Sequence, residues 1–413
     1  MTTQSVSTTA GDAIPQIDWQ SAEFHSGIDR AVAAIADHQR GPGIVRSQRG
    51  IEVVAYEAAA EIVKNTDFTL GMAARLDSRG VAGAATRGAF LNFLFSRDGQ
   101  EHLRARKACA PWFASSSAER VRGHVREWLD SWLDDAASQS TDYDFLGGIA
   151  NRLPSTLFCL LLGAPLTDAP LVAHLSQECM LTSAPPQPDH PDRLEIAATL
   201  TTAYLVGLTE LRRQQPGDDL LSFLVAAQDC GEIDLDDILA VVFNALVGST
   251  DTTSAQICCN VEALAAHPGQ WQLLQQEPDR IPHAVAELMR YNPGAWSITR
   301  SSRTATTYKG LDITPDDIVF PDIFAANNDP AVFEDPRRLD ITRPHPKPPL
   351  NFGAGIHGCL GRMFSLLEQE EVLRAMLRRW DSYEVLEAEF SGAMFFLVPQ
   401  KLRVSFTATS AQS

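Results

Sequence analysis

A mainly α-helical fold with small β-sheets is what this chain predicts, on three observations. Leu235 to Ala266 runs 32 residues without a proline, and its segment Ile238 to Val247 is apolar nearly all round, so it calls for burial rather than a place on a surface. Five further segments carry apolar residues at three- and four-residue spacing, the helical period. Strand-like stretches are few and short. No Gly/Ser linker, charge block or internal repeat marks a boundary, so the expected organisation is a single large domain, 15–413, behind a flexible polar tail, 1–14.

The elements follow in order. Ile51 to Ala55 reads as a strand from its β-branched residues. Helices are expected over Arg104 to Ala136, Asn151 to Leu162 and Glu195 to Gln214. The long helix opens after Asp234, a good N-cap, and stops at His267-Pro268-Gly269. At a rise of 1.5 Å per residue it would be about 48 Å long and would cross the core. A helix over Pro282 to Tyr291 follows, then strands Thr304 to Tyr308 and Ile318 to Phe320 as a pair. The chain closes with a helix over Leu360 to Trp380 and with Tyr383 to Leu386 paired to a segment near Leu402 to Phe406.

Composition excludes several function classes. With 45% hydrophobic and 21% charged residues the chain is of ordinary globular type. The formal charge of −18, from 34 basic and 52 acidic residues, disfavours nucleic acid and anionic membrane as partners. The start MTTQSVSTTAGDAIPQ lacks the basic and apolar regions of a leader, and no run approaches about 18 apolar residues, so a cytoplasmic protein without membrane insertion is expected. Seven cysteines, an odd number without framework spacing, point to a reducing compartment. Against the acidic background, Arg104, Arg106, Lys107, Arg120 and Arg122 form a basic island, which reads either as a solvated helix face or as a docking surface for an acidic partner.

The most informative segment is FGAGIHGCLG, Phe352 to Gly361, where four glycines surround Cys359. Glycines allow close backbone approach to a flat ligand, while loop N–H groups and the start of a helix near Leu360 favour a thiolate, a soft metal ligand. Three other readings compete. A lone cysteine is commonly a buried small hydrophobe. Residues 353–358 also spell GxGxxG, but Pro344, Pro346, Pro348 and Pro349 forbid the strand that a dinucleotide fingerprint needs. Zinc would need further ligands at finger spacing, and the chain has no CxxC.

The pattern FxxGxHxCxG resembles the haem-binding loop of the cytochrome P-450 superfamily, with Cys359 at the place of the axial cysteine. The resemblance extends from about Asp98 to Val404 and implies a single cytochrome P-450-like domain that binds haem b, iron protoporphyrin IX. Gly248-Ser249-Thr250-Asp251-Thr252-Thr253 puts small and polar residues into the middle of the long helix, where they weaken it. By itself this could be a kink whose hydroxyls bond the preceding turn. It is similar to the family's Gly-x-[Asp/Glu]-Thr element, which implies Asp251 as acid and Thr252 as alcohol in proton delivery, with Gly248 against the haem. Ser249 stands where the family commonly has a glycine.

The resemblance also implies a structural network and the haem contacts. Glu287-Leu288-Met289-Arg290 matches ExxR, and Pro336-Arg337-Arg338-Leu339 matches the element that supplies the third member, so Glu287, Arg290 and Arg338 are expected together. His102 and Arg106 resemble HxxxR, and with Arg300 and His357 they fall where the family holds the propionates, while Phe352 and Gly361 belong to the cysteine loop. Family position places Met72 to Phe95, Phe243, Asn244, Val247, the turn from Ala295 to Ile298 with Trp296 and Ile298, and Met394 to Phe396 with Phe395 around a distal pocket. That set is apolar apart from Asn244 and Ser297, which points to a hydrophobic or aromatic small molecule as substrate. The implied activity is a bacterial-type haem-thiolate monooxygenase fed by an external ferredoxin-type protein, since no flavin or NAD domain is evident. Oxidative coupling or isomerisation without oxygen insertion, and a haem-binding sensor that lacks catalysis, are the alternatives.

Overall fold

Helices and short strands alternate in the first part of the chain, in a computed structural model that describes residues 28–39, 41–139, 142–184, 186–391 and 395–408. The tail 1–14 and Met394 lie outside the described residues. Helix α1 (Ile28–Gln39) precedes strands β1 (Ile44–Ser47) and β2 (Gly50–Val53), then come α2 (Tyr56–Lys64), β3 (Phe68–Thr69), α3 (Met72–Ser78), α4 (Ala84–Asn92) and α5 (Gly99–Cys109). Next are α6 (Ser115–Gln139), β4 (Asp142–Asp144), α7 (Arg152–Leu162), α8 (Ala169–Cys179), α9 (His190–Gln214) and α10 (Leu220–Asp229). The core helices α11 (Leu235–Ser249) and α12 (Asp251–Ala265) lead to α13 (Pro268–Gln276) and α14 (Ile281–Tyr291). Strands β5 (Ser301–Ser302), β6 (Thr306–Tyr308), β7 (Leu311–Ile313) and β8 (Val319–Pro321) precede α15 (Ile323–Asn327), and α16 (Arg362–Arg379) leads into the hairpin β9 (Trp380–Ser391) and β10 (Val398–Ala408).

The helix expected over Arg104 to Ala136 is two helices, because Pro111 opens a short 3-10 turn, Ala110–Phe113, between α5 and α6. The 32-residue helix is likewise two. It opens with the expected cap: Asp234 accepts from the Asp237 N–H at 2.8 Å, and Asp237 accepts from the Asp234 N–H at 3.2 Å. It breaks at Thr250, whose φ and ψ are −84° and −67°. The Thr252 hydroxyl donates to the Gly248 carbonyl at 2.8 Å, occupying an acceptor that the helix ladder would otherwise use.

Two sheet expectations meet different outcomes. The C-terminal hairpin forms as expected and is longer, with Tyr383 opposite Phe406 and Val385 opposite Val404. The pairing of 304–308 with 318–320 does not occur. Thr306–Tyr308 pairs with Leu311–Ile313 instead, because Lys309 and Gly310, at φ 47° and 85°, make a two-residue turn whose twist suits a hairpin. Val319–Pro321 runs parallel to β2, Ile51 facing Val319.

The main core gathers α6, α7, α12, α14, α16 and the C-terminal hairpin around Leu129, Leu153, Leu288, Leu373 and Trp380, the last stacked on Phe406 at 4.6 Å. A second cluster packs α3 and α4 against α8 to α11 through Met72, Phe90, Phe243 and Val247. By length and mean hydropathy His190–Gln214 and Leu235–Ala265 could each cross a membrane, contrary to the expectation from apolar runs. The second is mostly buried within the protein, which accounts for its apolar character.

Candidate functional site

Cys359 is held in a loop bent back on itself just ahead of α16. Its N–H donates to the Phe352 carbonyl at 2.8 Å, and Gly358 donates to Gly355 at 3.1 Å. Gly353 and Gly355 take φ of 59° and 71°, which L side chains rarely adopt, and a Cβ on Gly355 would come within 3.1 Å of the Lys64 backbone. Gly353 and Gly361 face open space. Burial pushes the Cys359 thiol up, and the Gly361 and Arg362 N–H groups and the Arg106 and Arg362 charges only partly offset it. The loop N–H groups thus act in the expected direction, and a bound metal cation would add to them.

Two arginines and a histidine meet at this loop. The Arg106 guanidinium of α5 donates through Nη2 to the Gly358 carbonyl at 2.5 Å, and its buried Nη1 has no partner. His357 places Nε2 3.0 Å from Asp98 Oδ1 and leaves Nδ1 buried and unbonded. Arg300, 3% exposed, donates Nη1 to the Thr299 carbonyl at 2.8 Å, and its Nε is unbonded. His102 lies 4.4 Å from His357 ring to ring, but both of its nitrogens already face carbonyl oxygens, those of Leu94 and Ile356, each at 3.0 Å. His102 thus shapes the loop, while Arg106 and Arg300 keep unused donors and His357 keeps a ring nitrogen without a partner. Burial lowers the pKa of Arg300, to about 10, and of His357.

Unused buried donors are costly, and an anionic group arriving between them would remove the cost. In the core helix, Gly248 is the one exposed residue between Ile238 and Thr250, and a Cβ there would meet nothing. A flat ligand over Cys359 with two carboxylates among these cations fits the residues present, so haem b suits the site.

Asp251 and Thr252 differ sharply in their surroundings. Asp251 accepts from Ser176 Oγ of α8 at 2.7 Å and from Thr250 Oγ1 at 3.5 Å. Burial raises its carboxyl to about 6, these hydroxyls offsetting part of the effect. Ser176 is fully buried, and nothing in the sequence 75 residues upstream announced it. Across the molecule, Thr253 Oγ1 reaches Ser365 Oγ at 3.4 Å, joining the break in the core helix to α16.

The structural network forms with different members. Arg290 binds Glu287 through two nitrogens at 2.7 and 2.9 Å, both residues fully buried. Arg338 does not complete it: its side chain is 67% exposed and pairs with Asp340. Arg343 takes that place at 3.0 Å from Glu287 Oε1, and His345 Nε2 lies 2.9 Å from Oε2. Burial would raise Glu287, yet His345, Arg290 and the Asp340 N–H hold it down at about 2. Four residues past the expected motif the chain turns back towards α14, which carries Arg343 inwards and leaves Arg338 in solvent.

Among the expected pocket residues, Phe243 meets Phe90 edge-on at 5.3 Å and Val247 is buried in the same cluster. Asn244 is committed to structure, its Oδ1 accepting from the Phe95 N–H at 3.2 Å. Trp296 stacks on Phe324 at 4.4 Å within a cluster with Val45 and Val54. Ile298 packs at the edge of the β2–β8 core. Phe395 lies 5.4 Å from Phe320 and 5.6 Å beneath the Arg49 guanidinium.

Comparison with known proteins agrees with this geometry. Residues 195–391 match the family model described as Cytochrome P450. The chain is 30% identical over 90% of its length, and 89% of the relative, to luteothin monooxygenase of Streptomyces thioluteus. It is 28% identical to 6-deoxyerythronolide B hydroxylase of Saccharopolyspora erythraea, over 87% of this chain and 83% of that one. Among solved structures, CalO2 superposes with a TM-score of 0.87 over 95% of this chain and 99% of its own at 24% identity, a likeness of fold.

Proposed function

The chain belongs to the cytochrome P450 family, whose cofactor is haem and whose named relatives are monooxygenases and hydroxylases, and on that footing we propose that it is a haem-thiolate monooxygenase drawing single electrons from an external ferredoxin-type protein and oxidising a hydrophobic or aromatic small molecule. The observation that carries the reading is the set of buried nitrogens without a partner on Arg106, Arg300 and His357 near the Cys359 loop, together with exposed Gly248 in the core helix. Haem ligated through Cys359 supplies dioxygen reduction and oxygen transfer when bound.

The residues do the rest. Arg106, Arg300 and His357 would hold the propionates, with Asp98 orienting His357. Gly248 lets the flat group lie against the core helix. Thr252 Oγ1, anchored on the Gly248 carbonyl, positions a proton donor on the distal side. Asp251, with a carboxyl near 6, gains and loses a proton readily at neutral pH and resupplies that donor. Apolar Phe243, Val247, Ile298 and Phe395 line the approach and exclude water.

The electron-delivery surface is smaller than the basic island suggested. Arg104 is taken by Asp237 at 2.7 Å, and Arg122 by Glu119 and Glu371 at 2.7 and 2.6 Å. Lys107 and Arg362 remain accessible beside the cysteine loop and are the cations on which an acidic carrier would dock. A cytoplasmic location suits such a carrier, and all seven cysteines are free thiols. The test is Cys359→Ser in haem-reconstituted protein: the reduced carbon monoxide adduct should lose its thiolate-specific long-wavelength band. A variant that keeps the band places the iron ligand elsewhere and overturns the proposal.

A further inference from the structure

Four arginines are almost wholly buried: Arg75, Arg97, Arg290 and Arg300. Arg97 faces Asp237 at 2.5 Å and Arg290 faces Glu287 at 2.7 Å. Arg300 sits within reach of the Asp98 charge and beside His357, at the propionate cluster. Arg75, on α3, is different. It is 8% exposed, its Nε has no partner, and Nη2 meets only the Met72 sulfur, at 3.4 Å, a weak acceptor.

No carboxylate answers Arg75 among the described residues. The charge that acts on it is another cation, Arg79, one helical turn further along the same face. Arg79 is itself partly buried and bonds only the Leu181 carbonyl, at 3.3 Å. Burial and Arg79 together bring the Arg75 guanidinium down to about 9, so it is still a cation at neutral pH. A buried cation without an anion is a costly arrangement that a fold keeps only when something else brings the negative charge.

Its position says what that is. The guanidinium lies 5.7 Å from the centre of the Phe395 ring. Its neighbour Met72 packs in one cluster with Phe90, Phe243 and Val247, the face of α11 that ends at exposed Gly248. Arg75 therefore stands where Phe395 meets the apolar cluster of Met72, Phe243 and Val247. Resting on the reading of this site as that of a monooxygenase, we infer that the substrate is a hydrophobic carboxylic acid whose carboxylate pairs with Arg75, its apolar body lying along Phe243, Val247 and Phe395. Arg79 adds to the positive field at the same end. The pair would fix which carbon of the substrate reaches the reactive centre, because one end of the molecule is anchored by charge.

The experiment is equilibrium binding to the haem-loaded protein, read in parallel by the shift of the haem absorption band and by calorimetry. The probes are ω-phenylalkanoic acids from phenylacetate to phenyloctanoate and straight-chain alkanoates of about six to sixteen carbons, each beside its own primary amide. At least one acid should bind about 10- to 100-fold more tightly than its amide, the range expected for a desolvated charge-assisted pair. Arg75→Gln should abolish that preference, and Arg75→Lys should restore part of it. Amides binding as well as acids throughout, no acid binding at all, or an undiminished preference in Arg75→Gln each overturn the inference. So does loss of haem from Arg75→Gln, which would make Arg75 a propionate ligand. Failure of the parent reading looks different: the wild-type protein would lack the thiolate band, while calorimetry would still report acid against amide.

Discussion

Replacing Asp251 by asparagine should make the protein more stable and less active at once. Burial in the break of the core helix raises the carboxyl from 3.8 to about 6. At 1.36 kcal/mol for each tenfold change in proton affinity, that is an upper bound of about 3 kcal/mol. Because residue 251 is partly accessible, we take about 1–3 kcal/mol. The sign follows from proton binding. A carboxyl with a raised folded pKa binds its proton more tightly in the folded chain, so stability falls as pH rises from about 4 through 6 and stays reduced above. The amide of Asp251→Asn does not titrate, while its oxygen can still accept from Ser176. Chemical denaturation at about pH 8 should therefore show Asp251→Asn to be the more stable protein by about 1–3 kcal/mol, with the difference shrinking towards zero near pH 4. Turnover should fall by about 10- to 100-fold, roughly 1.4 to 2.8 kcal/mol of barrier, because the group that resupplies the proton is gone. A variant of equal or lower stability at that alkaline pH, or a difference independent of pH, would refute the buried-carboxyl argument, and unchanged turnover would refute the relay.

Three further outcomes are expected. Thr252→Ala should consume reduced cofactor near the wild-type rate yet release most of it as hydrogen peroxide, measured against product, since the hydroxyl anchored on Gly248 is what positions the proton. Arg343→Ala should cost about 3–5 kcal/mol in thermal or chemical denaturation because it strips a partner from fully buried Glu287, whereas Arg338→Ala should stay within about 0.5 kcal/mol. Glu287 has its pKa lowered from 4.5 to about 2, so the stability it lends is present above the ordinary carboxylate range and is lost as pH falls from about 4.5 towards 2. Lys107→Glu and Arg362→Glu should slow reduction by an acidic ferredoxin, most at low salt, while Arg104→Glu should act mainly through stability, since Arg104 is already paired with Asp237.

Much of the molecule was legible in the chain because its signals are local. The cap at Asp234, the terminator at Pro268 and the alternation of the C-terminal hairpin each act over a few residues. Pro111 and the Lys309-Gly310 turn are equally local signals. Reading through the first merged α5 with α6, and passing over the second paired Thr304 to Tyr308 with β8. Elsewhere sequence reasoning failed because the partners were distant. Arg338 and Arg343 are arginines five residues apart, and only the turn of the chain between them decides which one reaches Glu287.

The glycines and single cysteine of 352–361, and the small polar interruption of an otherwise apolar helix, are properties of the chain itself: glycine is what takes a positive φ without strain, and no arrangement of neighbours can supply a thiolate to a site without a cysteine. Which donors are left unused is another matter. That Arg106, Arg300 and His357 keep free nitrogens while His102 and Arg104 are satisfied, that Asp251 meets Ser176, and that Arg75 is buried without an acid, are facts that mostly join residues far apart in the chain. Charge and hydrogen bonding act over a few ångströms of space, and only the packed chain says which groups share it.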